Sequence, residues 1–420
     1  MKVLWLTNTP VGASEYLKIK YPAGGWMSSL ETYVKEIDKL SLAVCFFYEG
    51  LEAFKFIYNS VTYYPIESKQ SSLFSRINSK LFGKLYDCNN NALLRVIEDF
   101  KPDVIQLFGT ESGFGEILDK VKIPVIIHIQ GLMNPIFSAW LPKGISQRKI
   151  IFNSSIKEIL LKKGVINEYY LTRKRATREE FIIKKASYFF GRTEWDKRVI
   201  QLYNKDATYF HCAELLRPAF FSKHWAPRES PTLNLVTTIN PNIYKGLDII
   251  LETAFLLKKK SVINFQWIVI GVEQNSQLVR LFERIKKKKF SDNNVSFKGF
   301  KSTDELIVHL LESSIFIHPS HIDNSPNSMC EAMLLGMPVI ATHVGGIPSL
   351  IEHNFNGLLY NSYDPFELAG TIIENANNHL ELKRLGNNAR ITATKRHDAT
   401  TIISTIIKTY ASVLSPNYSK

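Results

Sequence analysis

The sequence predicts an α/β protein built from two doubly wound parallel sheets, and three observations lead to this prediction. Short apolar runs alternate with longer stretches of helical spacing along the chain, which is the pattern of parallel sheets covered by helices. The alternation starts afresh after a polar, proline-rich stretch at residues 224–231. With 420 residues, the chain is long enough for two cores of ordinary size. We therefore expect domains over residues 1–220 and 232–399, joined by a linker over 221–231.

The composition is that of a globular protein. The apolar share is 45% and the charged share 22%, so disorder is not expected. No apolar run approaches the roughly 18 residues that span a bilayer, and the N-terminus has no basic region or cleavage site of a signal peptide. Four widely spaced cysteines show no metal-binding spacing, so we expect buried, reduced thiols in a cytosolic protein. They are Cys45, Cys88, Cys212 and Cys330.

The positive charge of the chain is concentrated in its first half. The formal net charge is +13, and the basic residues cluster in stretches 143–149, 157–163 and 173–178, with aromatic residues between them. Such a surface would attract anionic lipid head groups or nucleic acid, although each cluster could equally be a solvated basic face. No nucleic-acid recognition motif accompanies the charge.

The first half opens with a buried strand over residues 2–7 and a loop that carries Gly24 and Gly25 before a helix over residues 26–40. A Gly-Gly loop that enters a helix is suited to a phosphate or a sugar. The full G-x-G-x-x-G pattern is absent, so a dinucleotide is not predicted. Further strands follow, with helices between them, which places ligands at the carboxyl ends of the strands. We predict them at 42–47, 61–66, 104–108, 125–131 and 188–190.

Three polar side chains stand at such carboxyl ends. His128 and Gln130 are two residues apart and share one face of their strand; a satisfied core histidine is an equally good explanation of His128. Arg192 could clamp a phosphate or a sugar, or form an ion pair with Glu194 or Asp196. A basic, aromatic and mostly helical insertion over residues 132–185 is where acceptor specificity could be built.

In the second half, loops follow three strands in the same way. The loop after residues 233–237 carries Asn240 and ends in Lys245-Gly246 before a helix, a place that suits phosphate binding. The strand over residues 265–270 ends at Gly271. The stretch over residues 295–300 contains Gly299 and Phe300.

The most informative stretch covers residues 315–352. A strand over 315–317 leads into a polar loop, and the S-x-x-E spacing of Ser328 and Glu331 predicts a capping box and a helix up to Gly336. The positive end of that helix would suit a diphosphate. Asp323 and Glu331 stand eight residues apart, and spacing alone favours a turn acid and a capping acid over a catalytic pair.

The order of residues 323–348, DNSPNSMCEAMLLGMPVIATHVGGIP, resembles the signature of the retaining glycosyltransferases of family 4, the "glycosyl transferases group 1" type. This resemblance implies the GT-B fold, in which two Rossmann-like domains face a central cleft and a final helix, here about residues 400–414, packs back on the first domain. It covers residues 233–360 well and the first half only at scattered points.

The resemblance assigns roles to single residues. It implies that Glu331 binds the ribose hydroxyls and that Asp323 binds the donor sugar, although the usual acid at position 323 is a glutamate. It implies that Lys245 binds the donor diphosphate. Ile239 and Asn240 occupy the place of the family's usual second cation, an arginine, which leaves Arg192 as a candidate to replace it. The donor site would also contain Asn240, Gly271, Gly299, Phe300, Asn324, Ser325, Pro326, Asn327 and Ser328. In the first domain, Gly24, Gly25 and Arg192 would lie near the substrate, and either His128 or Gln130 would serve the donor sugar.

The resemblance thus implies a retaining enzyme that moves a sugar from a nucleoside diphosphate sugar, expected to be a UDP sugar, to a carbohydrate or lipid-linked acceptor in cell-surface polysaccharide or lipopolysaccharide synthesis. The absence of a D-x-D pair agrees with chemistry that needs no metal or other cofactor. The basic first half would hold a cytoplasmic enzyme at the inner face of the membrane. An epimerase or phosphorylase on the same fold and a nucleic-acid-binding protein are the alternatives.

Overall fold

The computed structural model describes residues 1–19, 25–48, 54–67, 89–155, 164–228, 230–260 and 263–415. Gly24, Cys88 and the basic stretch 157–163 lie outside these residues. The chain divides into two compact units. The first comprises Met1–Asn134, Tyr170–Leu216 and His397–Lys420, and the second comprises Pro135–Tyr169 and Arg217–Arg396.

In the described part of the first unit, eight strands form one sheet in the order β3-β4-β2-β1-β5-β6-β7-β8. All neighbouring pairs are parallel except β3 with β4. The strands are β1 (Lys2–Thr7), β2 (Ser41–Phe47), β3 (Phe56–Tyr58), β4 (Val61–Ile66), β5 (Val104–Phe108), β6 (Val125–His128), β7 (Tyr188–Gly191) and β8 (Thr208–His211).

In the described part of the second unit, six strands form a fully parallel sheet in the order β11-β10-β9-β12-β13-β14. They are β9 (Leu233–Thr238), β10 (Phe265–Ile270), β11 (Val295–Phe297), β12 (Ile315–His318), β13 (Val339–Thr342) and β14 (Leu358–Tyr360). The chain extends the sheet on one side of β9 and then on the other from β12. The carboxyl ends of β9 and β12 therefore flank the topological switch point, where ligands of doubly wound sheets bind.

The helices lie between these strands and after the last one. Among the described residues they are, in chain order, α1 (Gly25–Val34), α2 (Asn90–Phe100), α3 (Met133–Ser138), α4 (Gln147–Asn153), α5 (Val165–Lys185), α6 (Glu194–Tyr203), α7 (Leu247–Lys260), α8 (Gln277–Lys286), α9 (Thr303–Leu311), α10 (Asn327–Leu335), α11 (Pro365–Asn375), α12 (His379–Arg396) and α13 (Ala399–Leu414). Short 3-10 turns include Val11–Ser14, Gly113–Asp119, Pro218–Phe220, Ile243–Lys245 and Ile347–Ser349.

Both faces of the first sheet are covered by apolar side chains. One core contains Leu107 and Phe189, and the other contains Trp5 together with Tyr410 of α13. The indole N–H of Trp5 donates to the Tyr410 hydroxyl at 3.1 Å. The last helix therefore contributes to the core of the first unit.

Some predicted elements differ from the structure. The helix predicted over residues 26–40 ends at Val34, and the helix expected between the strands at 104–108 and 125–131 is the 3-10 turn Gly113–Asp119. The edge strands β3 and β8 were not predicted. None of the residues of β8 is buried, so this strand lacks the apolar run that marks a central parallel strand.

Part of the predicted insertion groups with the second unit. The ring of Trp140 lies 5.5 Å from that of Tyr244, and α4 packs against α8. Buried Ile150 anchors α4. Of the predicted basic clusters, stretch 143–149 therefore belongs to the second unit. In the described part of the chain, no helix has the length and apolar character needed to cross a bilayer.

Candidate functional site

The switch point of the second sheet brings Lys245 and Asp323 together. Lys245 ends the turn after β9, and Asp323 lies in the loop after β12. The ammonium of Lys245 lies 2.6 Å from Asp323 Oδ2. Nε2 of His318, the last residue of β12, lies 3.1 Å from the same oxygen. Lys245, predicted to bind the phosphate, and Asp323, predicted to bind the sugar, thus form a direct ion pair.

The electrostatics keep this pair charged. Burial alone would raise the pKa of Asp323, but Lys245 and His318 outweigh it and hold the pKa below its ordinary value. Burial would likewise lower the pKa of Lys245, whereas Asp323 raises it overall. Burial lowers the pKa of His318, so its ring is neutral near pH 7. Nδ1 of His318 has no hydrogen-bond partner among the described residues.

Two glycines fix the loops on either side of this pair. Gly246 has a φ of +81°, and a Cβ there would lie 2.1 Å from the carbonyl oxygen of Pro319. Gly345 has a φ of +52°, and a Cβ there would lie 2.0 Å from the carbonyl oxygen of Asp323. That same oxygen accepts a hydrogen bond from the Gly346 N–H at 3.0 Å. The Gly-Gly loop therefore supports the backbone of Asp323 closely.

Glu331 is bound by an arginine that the sequence analysis did not identify. Nε and Nη2 of Arg217 each donate to one oxygen of the Glu331 carboxylate at 2.7 Å. Nη1 of Arg217 donates to the Thr303 hydroxyl at 2.8 Å, and its guanidinium lies 4.7 Å from the centre of the Phe220 ring. Such a two-pronged pair fixes the carboxylate in orientation as well as in charge.

The predicted capping box at this helix was wrong. Helix α10 begins at Asn327, one residue before the predicted start, and its N-cap, Pro326, makes no side-chain capping bond. The carboxylate of Glu331 is turned instead to Arg217, and the residue is 5% exposed. One signal could have revealed this, since an acid in the middle of an apolar helix needs a cationic partner when it is buried.

The loop between Asp323 and Glu331 contains the other predicted donor contacts. Asn324, Ser325 and Pro326 are buried, whereas Asn327 and Ser328 are half-buried at the N-terminus of α10. The side-chain oxygen of Asn327 has no hydrogen-bond partner in the described part of the chain. Amides at such a terminus favour an anion.

The predicted glycines of the neighbouring strands also lie together. The N–H of Gly271, after β10, donates to the carbonyl of Gly299, after β11, at 2.8 Å. Gly271 has a φ of +91°, and a Cβ there would lie 2.3 Å from the carbonyl oxygen of Ile239. Asn240 is exposed, and Phe300 is 50% exposed. These residues line the carboxyl ends of β9, β10 and β11.

In the first unit, His128 is fully buried at the end of β6. Its Nδ1 lies 3.0 Å from the side-chain nitrogen of Gln106, and its ring lies 5.0 Å from that of Trp26. Burial, and then the charge of Arg192, lower the pKa of His128 well below its ordinary value. The ring is therefore neutral. Gln130, two residues later, is half-buried.

Arg192 is also buried, at 3% exposure. Its Nε lies 3.8 Å from Glu214 Oε2, a partner that the sequence analysis did not name, and its guanidinium lies 4.4 Å from the centre of the Trp26 ring. Asp196, one of the two expected partners, accepts the backbone N–H of Arg192 at 2.8 Å and forms a capping box with Thr193. Gly25 begins α1 and is half-buried.

Cys45, Cys212 and Cys330 are buried, as predicted. In the described part of the chain, the predicted site residues thus form a group at the switch point of the second sheet and a second group in the first unit, where His128 and Arg192 are buried.

Residues 217–392 match the family described as "Glycosyl transferases group 1". The chain is 31% identical over 140 residues to the amylovoran biosynthesis glycosyltransferase AmsK of Erwinia amylovora, a match that covers 31% of this chain and 32% of that protein. It is 27% identical over 155 residues to the putative colanic acid biosynthesis glycosyltransferase WcaL of Escherichia coli, covering 36% of this chain and 37% of that protein. The matches span about a third of these relatives.

Solved structures resemble the chain over nearly its whole length. Sucrose-phosphate synthase from Thermosynechococcus elongatus aligns with a TM-score of 0.68 at 12% identity, covering 98% of this chain and 99% of that one. HepE of Anabaena, solved in complex with UDP, aligns with a TM-score of 0.62 at 17% identity, covering 98% of this chain and 100% of that one. At these identities the likeness establishes the fold, and the predicted GT-B fold is confirmed.

Proposed function

We propose that this chain is a retaining glycosyltransferase that moves a sugar from a UDP sugar to a carbohydrate or lipid-linked acceptor in cell-surface polysaccharide synthesis. One observation carries the proposal: within the matched segment, Lys245 and Asp323 pair at the switch point of the second sheet, and the helix that follows the Asp323 loop carries the Arg217–Glu331 pair. The relatives named for amylovoran and colanic acid biosynthesis support the choice of acceptor. HepE, solved with UDP, supports the choice of nucleotide.

In the proposed reaction, the bond between the anomeric carbon and the diphosphate breaks, and the diphosphate leaves with the electron pair. Lys245 and the N-terminus of α10 stabilise its charge. The acceptor hydroxyl forms the new bond on the same face of the sugar, and its proton passes to the leaving phosphate oxygen. No metal takes part in the step we propose.

The ion pair between Lys245 and Asp323 implies an order of events when the donor binds. When the diphosphate binds, it replaces the carboxylate on Lys245, and Asp323 becomes free to accept hydrogen bonds from hydroxyls of the donor sugar. Glu331, held by both prongs of Arg217, accepts the ribose hydroxyls. We also propose that the protein works at the inner face of a membrane, where a lipid-linked acceptor would be available.

The test is UDP release from UDP-glucose, UDP-galactose and UDP-N-acetylglucosamine, with octyl glucoside or octyl galactoside as a soluble acceptor, in the presence of EDTA. Acceptor-dependent UDP release supports transfer, whereas release of a sugar phosphate on adding phosphate, or epimerised donor without UDP, supports a phosphorylase or an epimerase. Proton NMR of the new anomeric centre tests retention.

The matched variants are Glu331→Gln and Glu381→Gln. Each glutamate accepts two hydrogen bonds from one arginine, but Arg384, the partner of Glu381, is exposed. We expect Glu331→Gln to lower UDP release at least tenfold, because the amide replaces a charged acceptor of ribose hydroxyls. Glu381→Gln should retain wild-type activity. A folded Glu331→Gln variant with wild-type turnover would contradict the site assignment.

A further inference from the structure

A basic and apolar surface on the second unit has no role in the proposed donor site. It consists of Lys143, Arg148, Lys149, Ile151 and Phe152, and we call it the α4 patch. All five residues are exposed. Phe152 is 86% exposed and Ile151 is 41% exposed, so the largest apolar side chain of this helix lies almost entirely in water.

The packing of α4 explains why these side chains face outward. Ile150 is fully buried, and α4 packs against α8. Earlier in the segment, the Trp140 ring contacts that of Tyr244. One side of the segment is therefore fixed to the second unit, which leaves the two apolar side chains after Ile150 on the other side.

The charged side chains of the segment that carries this apolar tip have a single sign. Residues 135–155 contain three basic residues and no acidic residue. The ammonium of Lys149 donates to the backbone carbonyl of Gly144 at 2.8 Å, which keeps it beside the loop that carries Lys143. An apolar tip among cations is typical of surfaces that lie in the interface of an anionic bilayer.

The small apolar area favours a bilayer over a protein. A stable protein interface needs about 800 Å² from each partner, far more than two side chains supply. A bilayer needs only an insertable apolar side chain and several cations near its surface. Both the small apolar area of the patch and its positive charge therefore favour a lipid bilayer as its partner.

We propose that the α4 patch docks the protein on an anionic lipid bilayer, with Phe152 and Ile151 in the interface and the three cations at the head groups. The docking element then belongs to the unit that carries the proposed donor site, whereas the sequence analysis assigned the membrane surface to the first domain. The inference rests on the proposed lipid-linked acceptor. Binding to vesicles is measured without sugar transfer, so the two proposals can fail separately.

The experiment is flotation of the full-length protein with vesicles of phosphatidylcholine alone or with 30% phosphatidylglycerol (about 0.15 M salt). We expect binding only to the anionic vesicles. Each cation at such a surface contributes about fivefold, so Arg148→Gln with Lys149→Gln should weaken partitioning about 30-fold. Phe152→Ser should weaken it about tenfold.

Matched controls on the second unit separate a specific patch from net charge and general hydrophobicity. Lys383→Gln with Lys395→Gln removes the same charge from exposed positions of α12, and Phe366→Ser removes a phenylalanine that is 72% exposed on α11. Both controls should float like the wild type. The proposal is overturned if the wild type fails to bind anionic vesicles or if the α4 variants bind them like the wild type. It is also overturned if the control variants lose as much vesicle binding as the α4 variants.

Discussion

Replacing Arg217 with alanine should weaken the fold of the second unit, because Arg217 holds a buried carboxylate. Glu331 is 5% exposed, and both its oxygens accept from Arg217 at 2.7 Å. Removing one partner of a buried pair costs about 3–5 kcal/mol. The Arg217 side chain is 27% exposed, so water can partly replace it. We therefore expect the free energy of unfolding to fall by about 2–3 kcal/mol, measured by urea denaturation.

The lysine variant separates orientation from charge. Arg217→Lys keeps the positive charge but cannot donate two parallel hydrogen bonds to the carboxylate. Loss of one bond to a charged group costs about 1.5–3 kcal/mol, which corresponds to at least a tenfold rise in the Kd of UDP if the orientation of Glu331 governs ribose binding. Isothermal titration of UDP measures this change. Wild-type affinity in a variant of reduced stability would give Arg217 a structural role only.

The chain offers an exposed counterpart of the same pair. Arg384 donates to both oxygens of Glu381 at 2.8 and 2.6 Å, and the two side chains are 45% and 30% exposed. Arg384→Ala should therefore leave both the free energy of unfolding and the affinity for UDP close to those of the wild type. Two results would show that burial does not give the Arg217 pair its strength. One is that Arg217→Ala has the unfolding free energy and the UDP affinity of the wild type. The other is that Arg384→Ala lowers the free energy of unfolding as much as Arg217→Ala does.

Two further substitutions test the loop that carries Asp323. The pKa of Asp323 lies below its ordinary value, because Lys245 and His318 outweigh the effect of burial. The ionised carboxylate therefore stabilises the folded state above about pH 4, and this stabilisation is lost as pH falls toward the lowered pKa. The free energies of unfolding of Asp323→Asn and the wild type should thus differ at pH 7 and converge in acid. An equal difference in urea unfolding at pH 7 and pH 2 would contradict this. Gly345→Ala should lower the free energy of unfolding by at least about 1–2 kcal/mol, because of its positive φ and the contact with the Asp323 carbonyl. Gly370→Ala, in open space within α11, should instead gain up to about 1 kcal/mol, and equal losses in the two glycine variants would refute the role of the contact.

The fold could be predicted because its central strands are buried on both faces. All residues of β5, β6, β12 and β13 are buried, and such strands appear in the sequence as continuous apolar runs. Edge strand β8 gives no such run. Its pairing with β7 depends on backbone hydrogen bonds, which leave no mark on the choice of side chains.

The candidate site could be predicted where a residue stands at the end of a strand. Lys245 and Asp323 follow β9 and β12, and parallel neighbours bring such ends together. The partner of Glu331 could not be predicted in the same way. A local capping box and a distant arginine compete for the same carboxylate, and spacing within the helix reveals only the local partner. Arg217 lies 114 residues away in the chain, so its contact is decided by tertiary packing.

The grouping of Pro135–Tyr169 with Arg217–Arg396 has a practical meaning for chimeric enzymes. An exchange of residues 217–396 alone between two related chains would separate Tyr244 from Trp140 and α8 from α4. The recipient would then present its own tryptophan and helix to foreign surfaces. A functional module for recombination therefore consists of two pieces of sequence, and the smaller piece has to move together with the larger one.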